Sequence, residues 1–134
     1  MKMKRNLLYL TVLALGVSGL FACTQKPQES GILQGHVTIG PLVPAIREGD
    51  AEPTPAPEVY ATREIVVFKG DGTTEFTRLT IDDKGNYRGE LPVGTYVVDI
   101  NRIGIDSAKD LPIKIEIINQ GVTRLDINID TGIR

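Results

Sequence analysis

The sequence has no tryptophan, a single histidine (His36) and a single cysteine (Cys23). One cysteine excludes an intramolecular disulfide, so the fold must be held by its core alone. Paired-histidine and Cys/His sites within one chain are excluded too, which removes most zinc chemistry and every Cys–His mechanism. Helical periodicity is also missing: beyond residue 22, no ten-residue stretch repeats its apolar positions at the helical spacing. With 134 residues, the chain has room for one domain.

What is present begins with a basic start, "MKMKRN", followed by "LLYLTVLALGVSGLFA", which is interrupted only by Gly, Ser and Thr. A basic n-region before a short apolar run reads as a secretory signal. The run is about 16 residues, short of the roughly 20 that span a bilayer as a helix. Leu20, Phe21 and Ala22 stand directly ahead of Cys23. This "LFAC" resembles the bacterial lipobox: an aliphatic residue at minus three, a small one at minus one, then the cysteine that is lipidated. Phe21 is bulkier than the usual occupant of minus two. The resemblance implies that the Cys23 thiol receives a diacylglycerol, that cleavage removes residues 1–22, and that the new amino group is acylated. The alternatives are a plain signal peptide with a coincidental cysteine, or an uncleaved N-terminal anchor. An unpaired thiol placed at this one boundary favours lipidation, and several acyl chains anchor stably where one alone binds marginally. In Gram-negative bacteria an Asp after the cysteine retains lipoproteins in the inner membrane; Thr24 therefore favours the outer one.

Loss of residues 1–22 takes the basic residues from 15 to 12 against 17 acids, a net charge of about −5. An acidic chain without a Lys/Arg cluster argues against a nucleic-acid partner. Residues 23–31 are polar and read as a flexible tether, which leaves residues 32–134 as the folded domain.

That domain opens on "ILQGHVTIG", an expected strand with an irregularity near Gly35. Pro41, Pro44, Pro53, Pro55 and Pro57 follow within 17 residues. They remove too many N–H donors for a sheet interior and forbid a helix, so a long, partly extended loop is expected. From Glu64 onward strand and turn alternate. "EIVVFKG" is a near-continuous apolar strand. In "EFTRLTID", Phe76, Leu79 and Ile81 share no single two-residue register, so a bulge is expected. "DDKGN" is a turn with Gly85 able to take a positive φ. Tyr96, Val98 and Ile100 lie on one strand face. Ile113, Ile115 and Ile117 point inward, as do Leu125, Ile127 and Ile129, and these last two segments are expected to pair antiparallel. Strands recurring about every ten residues with turn signals between them make a small all-β sandwich.

"GHVTIGPLVP", then Asp83, Gly85, Tyr87, Leu91, Pro92, Gly94 and Tyr96 within "IDDKGNYRGELPVGTYVVDI", resemble the carboxypeptidase regulatory-like family. The resemblance covers residues 32–130, and it implies a prealbumin-like, Ig-like antiparallel sandwich of seven strands. Each of those residues has a folding role, and the proline-rich insertion after the first strand is the departure. Such modules stand beside catalytic domains, and none is expected within these residues.

Candidate chemistry is sparse. Asp126, Asn128 and Asp130 project from one strand face, but a flat strand spreads ligands instead of curling them around a cation. Asp82, Asp83 and Asn86 lack the oxygen spacing of a calcium loop. Ser30 and Ser107 have no base nearby in sequence, and His36 has no second ligand. No catalytic residue, metal ligand or cofactor site is expected. Tyr60, beside Pro53, Pro55 and Pro57, is the one aromatic that is a candidate for exposure, with packing against that loop as the favoured reading. These four residues are the candidate contact surface, because prolines pre-order a loop and lower the entropy lost on binding. The chain thus reads as a non-catalytic lipoprotein of the bacterial envelope, held to the membrane by lipid and meeting other envelope proteins. The alternative is a carbohydrate- or small-ligand-binding lipoprotein.

Overall fold

Strand β1 (Ser30–Gly40) alternates buried and outward residues along its whole length, burying Leu33, Val37 and Ile39. In this computed structural model residues 26–134 are described; the expected signal segment, Cys23 and the first residues of the expected tether lie outside them. A short helix α1 (Pro57–Ala61) is followed by β2 (Glu64–Lys69), β3 (Glu75–Thr80), β4 (Asn86–Pro92), β5 (Gly94–Ile100), β6 (Ile113–Ile117), β7 (Val122–Arg124) and β8 (Ile127–Asp130). One sheet holds β4, β1 and then β7 and β8; the other runs β3-β2-β5-β6. The architecture is an all-β, two-sheet sandwich.

The core is the inward face of each strand. Leu33, Ile65, Leu91, Ile117, Ile129, Val37, Val67 and Val98 are fully buried, and each such side chain stabilises the fold by about 1.5–3 kcal/mol. The alternation in the last third holds: Ile117, Ile127 and Ile129 are buried, while Lys114, Glu116, Asp126 and Asn128 are exposed. Tyr96, Val98 and Ile100 share the buried face of β5.

Five expectations are corrected. The sheets are not purely antiparallel, since β1 pairs parallel with both β7 and β8. The two amphipathic segments near the C-terminus do not pair with each other: β6 lies beside β5 in one sheet, and β7 and β8 lie beside β1 in the other. The turn at residues 118–121 carries the chain across the sandwich, so their apolar faces meet through the core and not along one sheet. Eight strands are present where seven were expected, although β7 and β8 keep one register against β1 (Gln34 opposite Arg124, Val37 opposite Ile127). The prolines also do not forbid every helix, because Pro57 opens α1 at the position whose N–H has no helical partner. The first strand begins at Ser30, not Ile32, because Ser30 pairs with Pro92.

The irregularity expected near Gly35 lies in its neighbour. Between β7 and β8 the Leu125 carbonyl leans over Gly35, and a Cβ there would sit 1.8 Å from that oxygen. The Tyr87 hydroxyl donates to the same carbonyl. Burial raises the Tyr87 pKa and the nearby Asp126 carboxylate raises it further, so the phenol stays a proton donor. The bulge foreseen in β3 is present: Val67 faces Thr77 but Phe68 faces Glu75, so Phe76 is skipped. Its ring instead lies 5.5 Å from that of Tyr96. In the "DDKGN" turn Gly85 has φ +85°, with the Val37 carbonyl 2.7 Å from where a Cβ would be. Asp82, not Asp83, closes this turn by accepting the Lys84 and Asn86 N–H groups.

Replacing Gly35 with Ala should abolish cooperative folding, because backbone and not a movable side chain occupies the space. Tyr87→Phe should retain the fold but lose about 1–3 kcal/mol in urea unfolding, the cost of leaving a carbonyl unpaired. In the turn between β2 and β3, Asp71 accepts the Thr74 hydroxyl at 2.6 Å and the N–H groups of Thr74 and Thr73 at 2.9 Å each. The Thr74 hydroxyl contributes most to lowering its pKa to about 2. Ionised Asp71 therefore favours the folded state above the ordinary carboxylate value, and that contribution is lost as pH falls through about 2. Carboxyl NMR titration should find Asp71 below the other acids, and Thr74→Val should move it back up.

Candidate interaction surface

The two ends of the sandwich differ in kind. At the base, where the N-terminal segment joins β1, the connections are short turns: residues 70–74, residue 93 and residues 118–121. At the opposite end, the apex, lie the long connections, residues 41–63 and 101–112, with the turn at 81–85 and the C-terminal residues 131–134. The strand directions force this split. β1 runs from base to apex, β2 returns from apex to base, and β5 runs up again.

The apex is bound together by specific bonds. Arg63 Nε and Nη2 donate to the two carboxylate oxygens of Asp106 at 2.8 and 3.2 Å, with side chains 13% and 5% exposed. Arg63 Nη1 also donates to the Val59 carbonyl at 2.9 Å. This two-pronged geometry suits a guanidinium and joins the end of the proline-rich connection to the loop before β6. Asn101 Oδ1 accepts the Glu64 N–H at 2.6 Å, and its Nδ2 donates to the Thr62 carbonyl. Ser107 and Asp130 exchange backbone bonds, and the Thr131 hydroxyl donates to the Pro41 carbonyl at 2.6 Å. The Arg134 guanidinium and the Gly132 N–H hold Asp130 below the usual carboxylate range.

On this frame residues 44–54 are exposed. Pro53 and Pro57 are on the surface and Pro55 is half-buried, so the proline-rich stretch does present a face. Tyr60 does not belong to it. Its side chain is 5% exposed and packs in the core cluster, because α1 turns it inward beside Val59. The apex adds residues not singled out from the sequence: Ile46, Ile103, Ile105 and Ile133 are exposed, Ile105 by 73%. Ile105 reaches across to Gly132, which places the tip of the second loop against the C-terminal residues. The "RIGID" stretch, with two isoleucines spaced around a glycine outside any strand, was the available signal.

A second, shallower feature lies on the outer face of the β4-β1-β7 sheet. It is a depression of about 460 Å³ lined by Gln34, Thr80, Asp82, Asn86, Arg88 and Arg124, with Gly35 and Tyr87 beneath. His36 Nδ1 lies 3.0 Å from Asn86 Oδ1, and Asp126 accepts the His36 N–H. Asp126 and Asp130 are each taken up by neighbouring arginines and backbone N–H groups. Among the described residues, no three His, Cys, Asp or Glu side chains converge as a metal site. Cys23 lies outside them.

No family model matches the chain, and no curated protein does. Solved structures share its fold. A minor pilin from Streptococcus agalactiae superposes with a TM-score of 0.53 at 14% identity, over 77% of this chain and 45% of that one. A DUF3823 family protein from Parabacteroides merdae gives 0.46 at 15% identity, over 76% and 46%. The major pilin subunit of Bacillus cereus gives 0.44 at 18%, over 75% and 29%. The chain therefore spans less than half the length of each of these proteins. At such identity the minor pilin shows a shared β-sandwich fold alone.

The Arg63–Asp106 pair yields a direct test. Asp106→Asn leaves a buried guanidinium without its counter-charge and should lower unfolding stability by roughly 3–5 kcal/mol. The double replacement Arg63→Met/Asp106→Leu should recover most of that loss in the same urea titration.

Proposed function

We propose that this chain is a lipid-anchored, non-catalytic β-sandwich that presents its apical loops to another protein of the bacterial envelope. The observation that carries the reading is the segregation of connections: the long loops gather at the end farthest from the N-terminal segment, on a frame held by the Arg63–Asp106 pair. Loops on a rigid scaffold are where binding residues concentrate, and pre-ordering lowers the entropy lost on contact. Cys23, seven residues before Ser30, would carry the lipid and orient that end away from the membrane. The resemblance of residues 32–130 to carboxypeptidase regulatory-like modules supports an accessory role, and the fold's occurrence in a minor pilin is compatible with work through protein contacts. Thr24 favours the outer membrane in a Gram-negative host.

The depression around Gln34, Asn86, Arg88 and Arg124 favours a second reading, a lipoprotein that binds a carbohydrate or small polar ligand. Its floor offers no free aromatic ring for stacking on a sugar, since Tyr87 is buried and its hydroxyl is committed. The two readings separate in one set of measurements. Palmitate should label the wild type and not Cys23→Ser. Envelope proteins crosslinked to the full chain should be lost on removing residues 47–51 or on Ile105→Asp, with melting temperature little changed. Equal labelling of wild type and Cys23→Ser removes the anchor. Reproducible thermal stabilisation by a sugar, with crosslinks unaffected by the apical variants, overturns the contact reading in favour of the second.

A further inference from the structure

The base of the sandwich carries its own exposed apolar residues. Val93, in the turn between β4 and β5, is 43% exposed; Ile118 and Val122, around the turn between β6 and β7, are 59% and 58% exposed. These two turns flank the start of β1. Val93 N donates to the Glu29 carbonyl on one side of Ser30, and Gln120 N donates to the Ser30 carbonyl on the other. Val122 also lies opposite Ile32 on the outer face of the sheet, which extends the apolar strip. The sequence around both turns is free of charge: residues 91–98 and residues 118–123 contain no Asp, Glu, Lys or Arg. The third basal turn, residues 70–74, carries Asp71 between Lys69 and Glu75, and Lys26 and Glu29 lie against Val93, whereas the apical loops carry Arg47, Glu48, Asp50, Glu52, Arg102 and Lys109.

The chain leading to this end fixes what can lie beneath it. Cys23 lies seven residues before Ser30, a span of at most about 25 Å at full extension. A lipid on Cys23 therefore keeps the base within that distance of the bilayer, at a high effective concentration of membrane. We propose that the base docks on the lipid surface, with Val93, Ile118 and Val122 entering the interfacial region and the uncharged turns lying against the headgroups. This rests on the lipid anchor at Cys23. It makes the anchor an orienting device: the short tether and the apolar base together hold the strand axis upright and point the apex outward. The two turns carry no charge of their own, and beside Val93 Lys26 is matched by Glu29, so apolar insertion and not lipid charge drives the contact.

The test uses the full lipidated chain in phosphatidylcholine vesicles. Because lipidation consumes the Cys23 thiol, a cysteine introduced in place of Val93, Ile118, Val122 or Ile105 carries a fluorophore uniquely. Ile105 lies at the apex, about 30 Å from the base along β1. Bromine-substituted acyl chains should quench labels at 93, 118 and 122 and leave 105 bright, with the same pattern when anionic lipid is added. Ile118→Asn/Val122→Asn should abolish the quenching at 93 while palmitate labelling persists. Palmitate labelling with no quenching at the base, or with equal quenching at 105, overturns the docking inference and leaves the anchor standing. So does base-to-base dimerisation that protects the labels from lipid. Absence of palmitate on the wild-type chain overturns the anchor and the inference together.

Discussion

The close crossing of the Leu125 carbonyl over Gly35 is the constraint on which the first sheet depends. β1 bonds to a partner on each edge in that sheet, antiparallel to β4 and parallel to β7 and β8. At Gly35 the parallel partner leans inward, and the Tyr87 hydroxyl from the antiparallel partner meets its carbonyl. Three strands are thereby tied at one point where only a residue without a side chain fits. The parallel pairing also joins the two ends of the folded chain, so β1 finds its C-terminal partner only after a long loop has closed.

From this arrangement follows the division between base and apex. The sandwich supplies a rigid body with short turns at one end and long, bonded loops at the other. The Arg63–Asp106 pair converts what would be two separate loops into one surface, and it does so from within, with both side chains mostly out of water. A buried pair of this kind specifies one arrangement more than it adds stability. The chemistry of the surface is that of contact: isoleucines at loop tips, prolines that limit the loop's freedom, and charges of both signs around them. The proposals for the two ends are complementary, since a module that docks by its base has its apex free.

Much of the fold could be read along the chain, and the reasons are local. Two-residue alternation in "IKIEI" and "LDINI" sets which face is buried, because successive side chains on a strand point to opposite sides. The broken register of Phe76, Leu79 and Ile81 marked a bulge, and Gly85 a left-handed turn. The candidate surface was legible in part. Proline density marked residues 41–57 as an exposed connection, but Tyr60 next to it is buried. Exposure there depended on which way a five-residue helix would turn the ring. The Arg63–Asp106 pair had no sequence signal at all, since its members lie 43 positions apart and each looks like an ordinary charged loop residue.

By itself, then, the sequence determined the all-β class, the inward faces of the strands, the turn positions and the place of the cysteine at the end of an apolar run. These follow from steric rules that act over a few residues. Tertiary structure alone decided strand partners and the direction of pairing. β6 and β7 are neighbours in sequence yet lie in opposite sheets, because the turn at 118–121 passes from one sheet to the other at the base and apolar faces bury best against each other. It also decided that Tyr60 is core, that Arg63 meets Asp106, and that Val93, Ile118 and Val122 share one end with the start of β1. Those are relations between distant segments, fixed only when the two sheets close on a common interior.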